Sequence, residues 1–211
     1  MRSLPERTVD GWVTASICAA FERALIWAPT QLAVGANWDF GVGLGDGKVF
    51  ILEDKATTAS GAHHRLEIDR QQVDWYCDVV EPSHQTPVFY VLPRPPWQGP
   101  PTGCDVVPDQ AARRAGHPPF EEWAFVARCH AVRTQLAGRA SINSQELPFL
   151  GCLTLRSFLT GIRDCEHGAR VIADDEPLPS RVTVNSEEAG RPRSSVLGVW
   201  VPAVDLPNFY R

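Results

Sequence analysis

The feature that most constrains the fold is a short apolar run that ends in three charged residues. Residues 49–52 read Val-Phe-Ile-Leu, and Glu53, Asp54 and Lys55 follow directly. An apolar run without alternation is typical of a strand buried on both faces, as in sheets that helices cover. In a strand, residues two apart share a face, so Glu53 and Lys55 point one way and Asp54 points the other. The sequence therefore predicts charged side chains at the end of a buried strand.

Composition places the chain among globular proteins. Its 211 residues are 44% hydrophobic and 21% charged, which allows a sizeable core and excludes a broadly disordered chain. The formal net charge of -5 argues against a protein coated in positive charge for unspecific nucleic-acid binding, but it does not exclude local basic patches. No apolar run approaches the length of a membrane span, and residues 1–7 lack a signal-peptide core. We therefore expect no membrane association and a cytoplasmic location.

The cysteines do not form a recognisable metal or redox motif. The chain has 6 cysteines and no Cys-x-x-Cys pair. Cys129 and His130 are adjacent, but they have no partner at the spacing typical of zinc ligands. We therefore predict buried, reduced cysteines and do not favour a zinc-dependent hydrolase.

Hydrophobic periodicity and turn signals predict a chain of mixed α/β class. In the first part they predict a helix over 9–27, a hairpin with arms 32–44 and 48–55, a loop over 56–66, a helix over 68–80 and a strand over 87–92. In the second part they predict helices over 120–136 and 153–162, and strands over 181–184 and 195–201. We therefore predict a core of residues 1–92, a Pro-rich loop of 93–119, and an α+β extension of 120–211 packed on the same domain.

A candidate site depends on the turn between the two hairpin arms. A two-residue turn places Asp39 opposite Asp54, whereas a three-residue turn over 45–47 places Asp39 opposite Glu53. In the second register Asp39, Glu53 and Lys55 share one face, and two carboxylates there suit a hard divalent cation such as Mg²⁺. Only two of the 20 basic side chains are lysines, and Lys55 can help to deprotonate an attacking water where arginine cannot. The alternative is a hairpin whose charged end has no function.

The next predicted helix adds a second motif, since Gln72 and Tyr76 lie four residues apart and therefore on one helix face. An acid, then Glu-x-Lys at the end of a buried strand, then Gln-xxx-Tyr resembles the PD-(D/E)xK, or restriction-endonuclease-like, nuclease superfamily. The Gln-xxx-Tyr spacing is similar to that of its RecB-type branch. The resemblance covers residues 9–92 and implies a core of a helix, a three-strand hairpin sheet, a helix and a strand.

The resemblance assigns roles residue by residue. It implies that Asp39 and Glu53 are metal ligands and that Lys55 is the catalytic lysine. It also implies that Gln72 contacts the substrate or the attacking water, with Tyr76 reaching into the same site.

Further candidates flank this set. Glu22, on the preceding predicted helix, takes the place of the first-helix acid of the superfamily. His64 and Arg65, in the loop after the strand, and Arg70, at the start of the next helix, are candidates for phosphate contact. For these three residues the alternative is ordinary solvated surface.

The function that the resemblance implies is a metal-dependent nuclease. Such an enzyme uses Mg²⁺ or Mn²⁺ to hydrolyse phosphodiester bonds of nucleic acid, with DNA favoured over RNA, in defence, repair or mobile-element processes. A homodimer or a larger complex is compatible with it. The alternative is a nuclease-like module without catalysis that binds nucleic acid or a protein partner. The negative net charge slightly favours the module, whereas two carboxylates held together favour a metal-binding enzyme, because they repel each other otherwise.

Overall fold

The fold is given by a computed structural model that describes residues 6–27, 45–60, 63–96, 116, 118–171 and 195–211. The helices are α1 (Glu6–Ala20), α2 (Arg70–Trp75), α3 (Glu81–His84), α4 (Phe120–Trp123), α5 (Cys129–Leu136) and α6 (Leu155–Arg163). A π-helical turn (Tyr76–Val80) joins α2 to α3, and short 3-10 helices cover Ser144–Leu150 and Ala203–Asp205. The strands are β1 (Leu25–Trp27), β2 (Gly47–Asp54), β3 (Thr58–Ser60), β4 (His63–Glu67), β5 (Val88–Pro93), β6 (Ala124–Arg128), β7 (Ser141–Asn143), β8 (Leu153–Thr154), β9 (Ala169–Val171) and β10 (Ser195–Pro202).

The strands form two sheets. The larger has the order β1-β10-β2-β5-β6-β8, and β9 pairs with the first residues of β2. Strands β2 and β5 run parallel, and the other pairs of this sheet are antiparallel. Strands β3, β4 and β7 form the smaller, antiparallel sheet. The chain is therefore mixed α/β with a mixed sheet, as the predicted class requires, and strands from both the predicted core and the predicted extension share the larger sheet.

Strand β2 is buried along its whole length, as the unbroken apolar run predicts. Phe50 and Leu52 pack into a core layer with α1 and α6, whereas Val49 and Ile51 pack into a second layer with α2 and α5. Because the sheet is covered on both faces, the charged residues that end β2 are enclosed on opposite sides. This arrangement positions the site described below.

The predicted hairpin between residues 32–44 and 48–55 is wrong. Strand β10 pairs with β2 along its whole length on one edge, and β5 and β9 occupy the other edge. Glu53 therefore has Val196 and Tyr90 as its ladder neighbours, so neither neighbouring position is open to Asp39. The arm 32–44, including Asp39, lies outside the described residues.

The glycine-rich stretch before β2 contacts the C-terminal segment instead of forming a hairpin turn. A Cβ atom on Gly47 would collide with the carbonyl oxygen of Val201, so only glycine allows β10 to approach this closely. The carbonyl oxygen of Asp46 accepts a hydrogen bond from the Ala203 amide at 2.8 Å, and its carboxylate accepts one from the Tyr210 hydroxyl at 2.6 Å. Local turn chemistry cannot reveal such a distant partner.

Four other predicted segments are confirmed, whereas predictions that miss a short strand are wrong. The strands predicted at 48–55, 87–92 and 195–201 and the helix predicted at 153–162 are confirmed. Three predictions are wrong where a short strand interrupts the pattern: β1 follows the early end of α1, β3 and β4 replace the loop 56–66, and β6 divides the helix 120–136. The helix predicted to end before Pro82 continues to His84, because Pro82 stands in the first turn of α3, where a missing N–H costs little. The predicted strand 181–184 lies outside the described residues.

Candidate functional site

The carboxyl end of β2 and the residue after it place Glu53 and Lys55 side by side. Their period-two spacing sends both side chains to the α2 face of the sheet. The Lys55 amide donates to the Val91 carbonyl at 3.1 Å, which continues the parallel ladder past the end of β2 and fixes the backbone of Lys55. The Lys55 Nζ donates to Glu53 Oε1 at 2.5 Å. The backbone ladder thus holds a buried ion pair at the end of the central strand.

Helix α2 brings Gln72 and Tyr76 onto the same pair. Asp69 caps this helix, with its carboxylate accepting from the Gln71 amide at 2.9 Å. Residues four apart share a helix face, and the π-helical turn begins at Tyr76, which is buried. The cap and the turn therefore aim Gln72 and Tyr76 at the end of β2, as the Gln-xxx-Tyr spacing predicts.

The four side chains close a ring of hydrogen bonds. Lys55 Nζ donates to Gln72 Oε1 at 3.1 Å, and the Gln72 amide nitrogen donates to the Tyr76 hydroxyl at 3.4 Å. The Tyr76 hydroxyl donates to Glu53 Oε2 at 2.8 Å, and Glu53 Oε1 receives Lys55. The donors follow one sense from Lys55 through Gln72 and Tyr76 to Glu53, so the bonds polarise one another. We define Glu53, Lys55, Gln72 and Tyr76 as the β2-end ring.

Burial makes the electrostatics of the ring strong. Glu53 has no exposed surface and Lys55 is 6% exposed, so their charges compensate each other in a low-dielectric place. Burial, and then the neighbouring charge of Glu53, raises the pKa of Tyr76 well above its usual range, which keeps the hydroxyl a donor. Tyr90 lies beside them, with its ring centroid 5.6 Å from Lys55 Nζ. The same causes raise the pKa of Tyr90 above its ordinary value.

Asp54 occupies the opposite face of the same strand end and behaves differently. It is fully buried, and among the described residues no amide, ammonium, guanidinium or alcohol group donates to its carboxyl oxygens. Burial raises the pKa of Asp54 well above its usual range, and a hydrogen bond with the Asp10 carboxyl of α1 raises it further. Burial and the neighbouring Asp10 carboxyl thus favour the neutral form of Asp54, whereas Glu53 is ion-paired with Lys55.

The raised pKa of Asp54 predicts how the stability of the fold depends on pH. A carboxyl group whose pKa is higher in the folded than in the unfolded chain stabilises the fold at low pH, and that contribution is lost as pH rises from about 4 toward the folded pKa. We expect Asp54→Asn, which stays neutral at every pH, to remove this slope and to be more stable than the wild type at neutral pH. Urea unfolding of both proteins between about pH 5 and pH 8 measures it. Parallel curves for the two proteins would contradict the assignment.

The remaining predicted residues are placed apart from the ring or on other elements. Glu22 lies in the turn after α1 and is exposed, so the prediction that it lies on the helix is wrong. Arg65 is exposed and His64 is buried, and both belong to β4, because the segment predicted as a loop is a strand. Arg70 is exposed at the start of α2, with its Nε 3.7 Å from the Asp74 carboxylate. Phosphate contact by these residues stays a prediction.

The donor set near Glu53 suits a hard cation only in part. Carboxylate and amide oxygens from Glu53 and Gln72 are of the type that Mg²⁺ prefers. Within the described part, however, Lys55 already balances the charge of Glu53, so a divalent ion needs a second carboxylate there. Asp39, the predicted source of that carboxylate, lies outside the described residues.

Sequence reasoning misses a second group that the fold assembles. Cys77, Cys129 and His130 offer ligand atoms that all lie within 4.8 Å of one another. Cys129 and His130 have no partner at zinc-ligand spacing in the sequence, but the fold brings Cys77 beside them from 52 positions earlier in the chain (129 minus 77). Tyr90 is not predicted as a neighbour of the ring for the same reason. The sequence predicts its strand, but it does not predict that this strand pairs in parallel with β2.

The described ranges contain no helix with the length and apolarity needed to cross a membrane. Comparison of the chain with protein-family models, with curated proteins and with solved structures finds no match. The functional conclusion therefore depends on the geometry of the site.

Proposed function

We propose that the chain is a metal-dependent nuclease with a restriction-endonuclease-like core, acting on phosphodiester bonds of nucleic acid, with DNA favoured over RNA. The observation that carries the proposal is the β2-end ring. Two motifs separated by 17 residues (72 minus 55), Glu-x-Lys and Gln-xxx-Tyr, supply its four members, and the hydrogen bonds join them directly. A chance charged strand end gives no reason for Gln72 to lie within hydrogen-bond distance of Lys55.

The side chains of the ring have separable tasks. Within the described residues, two of the three Lys55 ammonium hydrogens go to Glu53 and Gln72, so one stays available there for a phosphate oxygen or an attacking water. Since the Gln72 carbonyl accepts from Lys55, its amide nitrogen is turned toward Tyr76, and both orient Lys55 and Glu53. A positive group held in this way stabilises the charge that develops on a phosphate during in-line attack.

A metal ion would be held by Glu53 and by a second carboxylate, for which the resemblance names Asp39. An Mg²⁺ or Mn²⁺ ion there would supply Lewis-acid polarisation of a phosphate and a water of lowered pKa. The chain itself supplies the buried surroundings that strengthen these interactions, because Glu53 and Lys55 are almost completely removed from solvent.

The alternative is a module with a nuclease-like core that binds nucleic acid or a protein without cleaving. The specific observation in its favour is the saturation of Glu53. Its two carboxylate oxygens accept from Lys55 and from Tyr76, and its exposed fraction is 0%. A module that binds without cleaving needs no metal at Glu53, so its hydrogen bonds to Lys55 and Tyr76 would persist.

Cleavage of labelled single- and double-stranded DNA and RNA decides between the two. We expect cutting of at least one substrate with Mg²⁺ or Mn²⁺, no cutting in a chelator, and a loss of at least about 100-fold in Asp39→Asn, since a metal ligand and its charge are removed. Asp205→Asn, which changes an acid at a distant 3-10 helix, is the matched control and is expected to cleave like the wild type. Failure of every substrate with either metal would favour the binding module.

A further inference from the structure

Outside the β2-end ring, three side chains of the types that ligate metals converge from the π-helical turn and α5. Cys77 belongs to the π-helical turn, and Cys129 and His130 are the first residues of α5. Their ligand atoms lie within 4.8 Å of one another. Cys77 and Cys129 are 3% and 0% exposed, and the His130 side chain is 48% exposed. We call these residues the Cys-Cys-His cluster.

We propose that the Cys-Cys-His cluster binds a thiophilic divalent cation of the zinc class. Two cysteine sulfurs and an imidazole nitrogen are the donor set that zinc takes in preference to magnesium. Tetrahedral coordination needs donor atoms less than about 4 Å apart, so the present spacing requires only a small closing movement. The fourth coordination position is open to a water or to another ligand.

The two sulfurs lie side by side in a buried place. The ligand atoms of Cys77 and Cys129 belong to the group that lies within 4.8 Å, and both side chains are buried. Cysteine binds a metal as the thiolate, so a cation bound between the two sulfurs takes the place of their protons.

The surroundings hold His130 in a form that can ligate a metal. Arg133 Nη2 lies 3.3 Å from His130 Nδ1, and since a guanidinium only donates, Nδ1 carries a lone pair. His130 Nε2 then carries its hydrogen toward Glu81 Oε2, 2.9 Å away. A cation at Nδ1 therefore displaces the Arg133 contact and takes that lone pair, while Glu81 stays on Nε2–H as the carboxylate that orients a metal-bound histidine.

Glu81 is itself fixed, so it can orient His130. Its Oε1 accepts from the Val88 amide at 2.8 Å, and Arg128 Nη2 lies 3.2 Å from both carboxylate oxygens. With two thiolates and Glu81, a divalent cation leaves one net negative charge, which Arg128 balances. The side chains around the cluster thus balance the charge of a bound divalent cation and its two thiolates.

An entry path is present on the same side. A groove of about 820 Å³ is lined by Cys77 and His130 and also by Glu81, Arg128 and His167. A hydrated ion in this groove can therefore reach Cys77 and His130, and Cys129 lies directly behind them. None of the four members of the β2-end ring lines this groove, so the two sites use different side chains.

Metal analysis of the full chain tests the proposal without any activity. The reduced protein is stripped with a chelator, loaded with Zn²⁺, separated from excess ion and analysed for zinc; a Co²⁺-loaded sample reports thiolate ligation through its charge-transfer absorption. We expect about one zinc per chain, which stays bound through the separation step. Cys77→Ser and His130→Ala are expected to weaken binding by at least about 10-fold, and the cysteine variant is also expected to weaken the cobalt band.

Two control variants distinguish loss of the proposed site from a general effect of removing a cysteine or a histidine. Cys18→Ser changes an exposed cysteine on α1, and His167→Ala changes a histidine of the same groove outside the cluster, so both are expected to bind zinc like the wild type. His130→Ala removes a half-exposed side chain and is expected to stay folded by circular dichroism. A wild type without zinc, a Cys77–Cys129 disulfide that persists under reducing conditions, or equal zinc binding in all variants would overturn the proposal.

Discussion

The Glu53→Gln variant is expected to lose about 3–5 kcal/mol of unfolding free energy, because it leaves the Lys55 ammonium buried without a countercharge. The ion pair is enclosed to an unusual degree, with side-chain exposures of 7% for Lys55 and 0% for Glu53. Removing either partner of such a pair leaves the other charge buried, where water cannot solvate it in place of the lost partner. Urea unfolding, with the midpoint and slope compared to the wild type, measures the loss.

The double variant Glu53→Gln/Lys55→Met is the decisive companion. Replacing a buried ion pair by neutral side chains of similar volume is often neutral or stabilising by about 1–4 kcal/mol. We therefore expect the double variant to regain most of the stability that either single variant loses. The glutamine amide that replaces the Glu53 carboxylate still offers the Tyr76 hydroxyl an oxygen acceptor, so this ring bond survives the exchange. If the two single losses simply added in the double variant, the two charges would not be coupled.

The amino-acid sequence predicts local structure well and distant pairing poorly. The unbroken run 49–52 identifies a doubly buried strand, and the i,i+4 spacing of Gln72 and Tyr76 identifies two side chains on one helix face. Both inferences use periods that the backbone imposes within a few residues. The choice of neighbour for β2 is different, because the β10 partner of Glu53 comes 143 residues later (196 minus 53). Nothing in the glycine-rich turn distinguishes a hairpin arm from that strand.

The candidate site shows the same division. Glu53, Lys55, Gln72 and Tyr76 are predicted together, and they are joined by hydrogen bonds. The sequence also allows two hairpin registers for Asp39, opposite Asp54 or opposite Glu53, and both are wrong because β10 and β5 flank this end of β2. The sequence does not show that Cys77 is a partner of Cys129. The two sulfurs come together only because α2 and its π-helical turn pack against α5.

Two consecutive residues of the π-helical turn serve the two groups. Tyr76 and Cys77 are both buried, yet one reaches the β2-end ring and the other reaches α5. Consecutive side chains of a helix are separated by about 100°, so two neighbours can face different groups. The packing of α2 and its π-helical turn on α5 sets which group each one faces, and no amphipathic pattern in the sequence specifies it.

The largest expected effect on activity is the loss of metal-dependent cleavage in the folded double variant Glu53→Gln/Lys55→Met. The exchange tests the proposed catalysis apart from stability, because it removes the ammonium and the carboxylate but leaves a neutral, packed strand end. Under the proposed function we expect cleavage to fall by at least about 100-fold, since the proposed phosphate-binding ammonium and the proposed metal ligand are lost together. Initial rates on the substrate that the wild type cuts fastest, at saturating Mg²⁺ or Mn²⁺, give the comparison.

Lys48→Met is the matched control for this loss. Lys48 is the other lysine of the chain and lies on the same strand, buried at its opposite end, where its Nζ donates to the carbonyl oxygens of Cys165 and Gly168 at 3.1 and 3.3 Å. Its exchange removes a similarly enclosed ammonium at a distance from the β2-end ring, so a folded Lys48→Met protein is expected to cleave like the wild type. Cleavage that survives in the double variant would separate the nuclease activity from the ring, whereas equal loss in both variants would point to the strand as a whole. A loss confined to the double variant assigns the chemistry to Glu53 and Lys55 together, because Lys48→Met makes the same lysine exchange at a buried position near the other end of the strand.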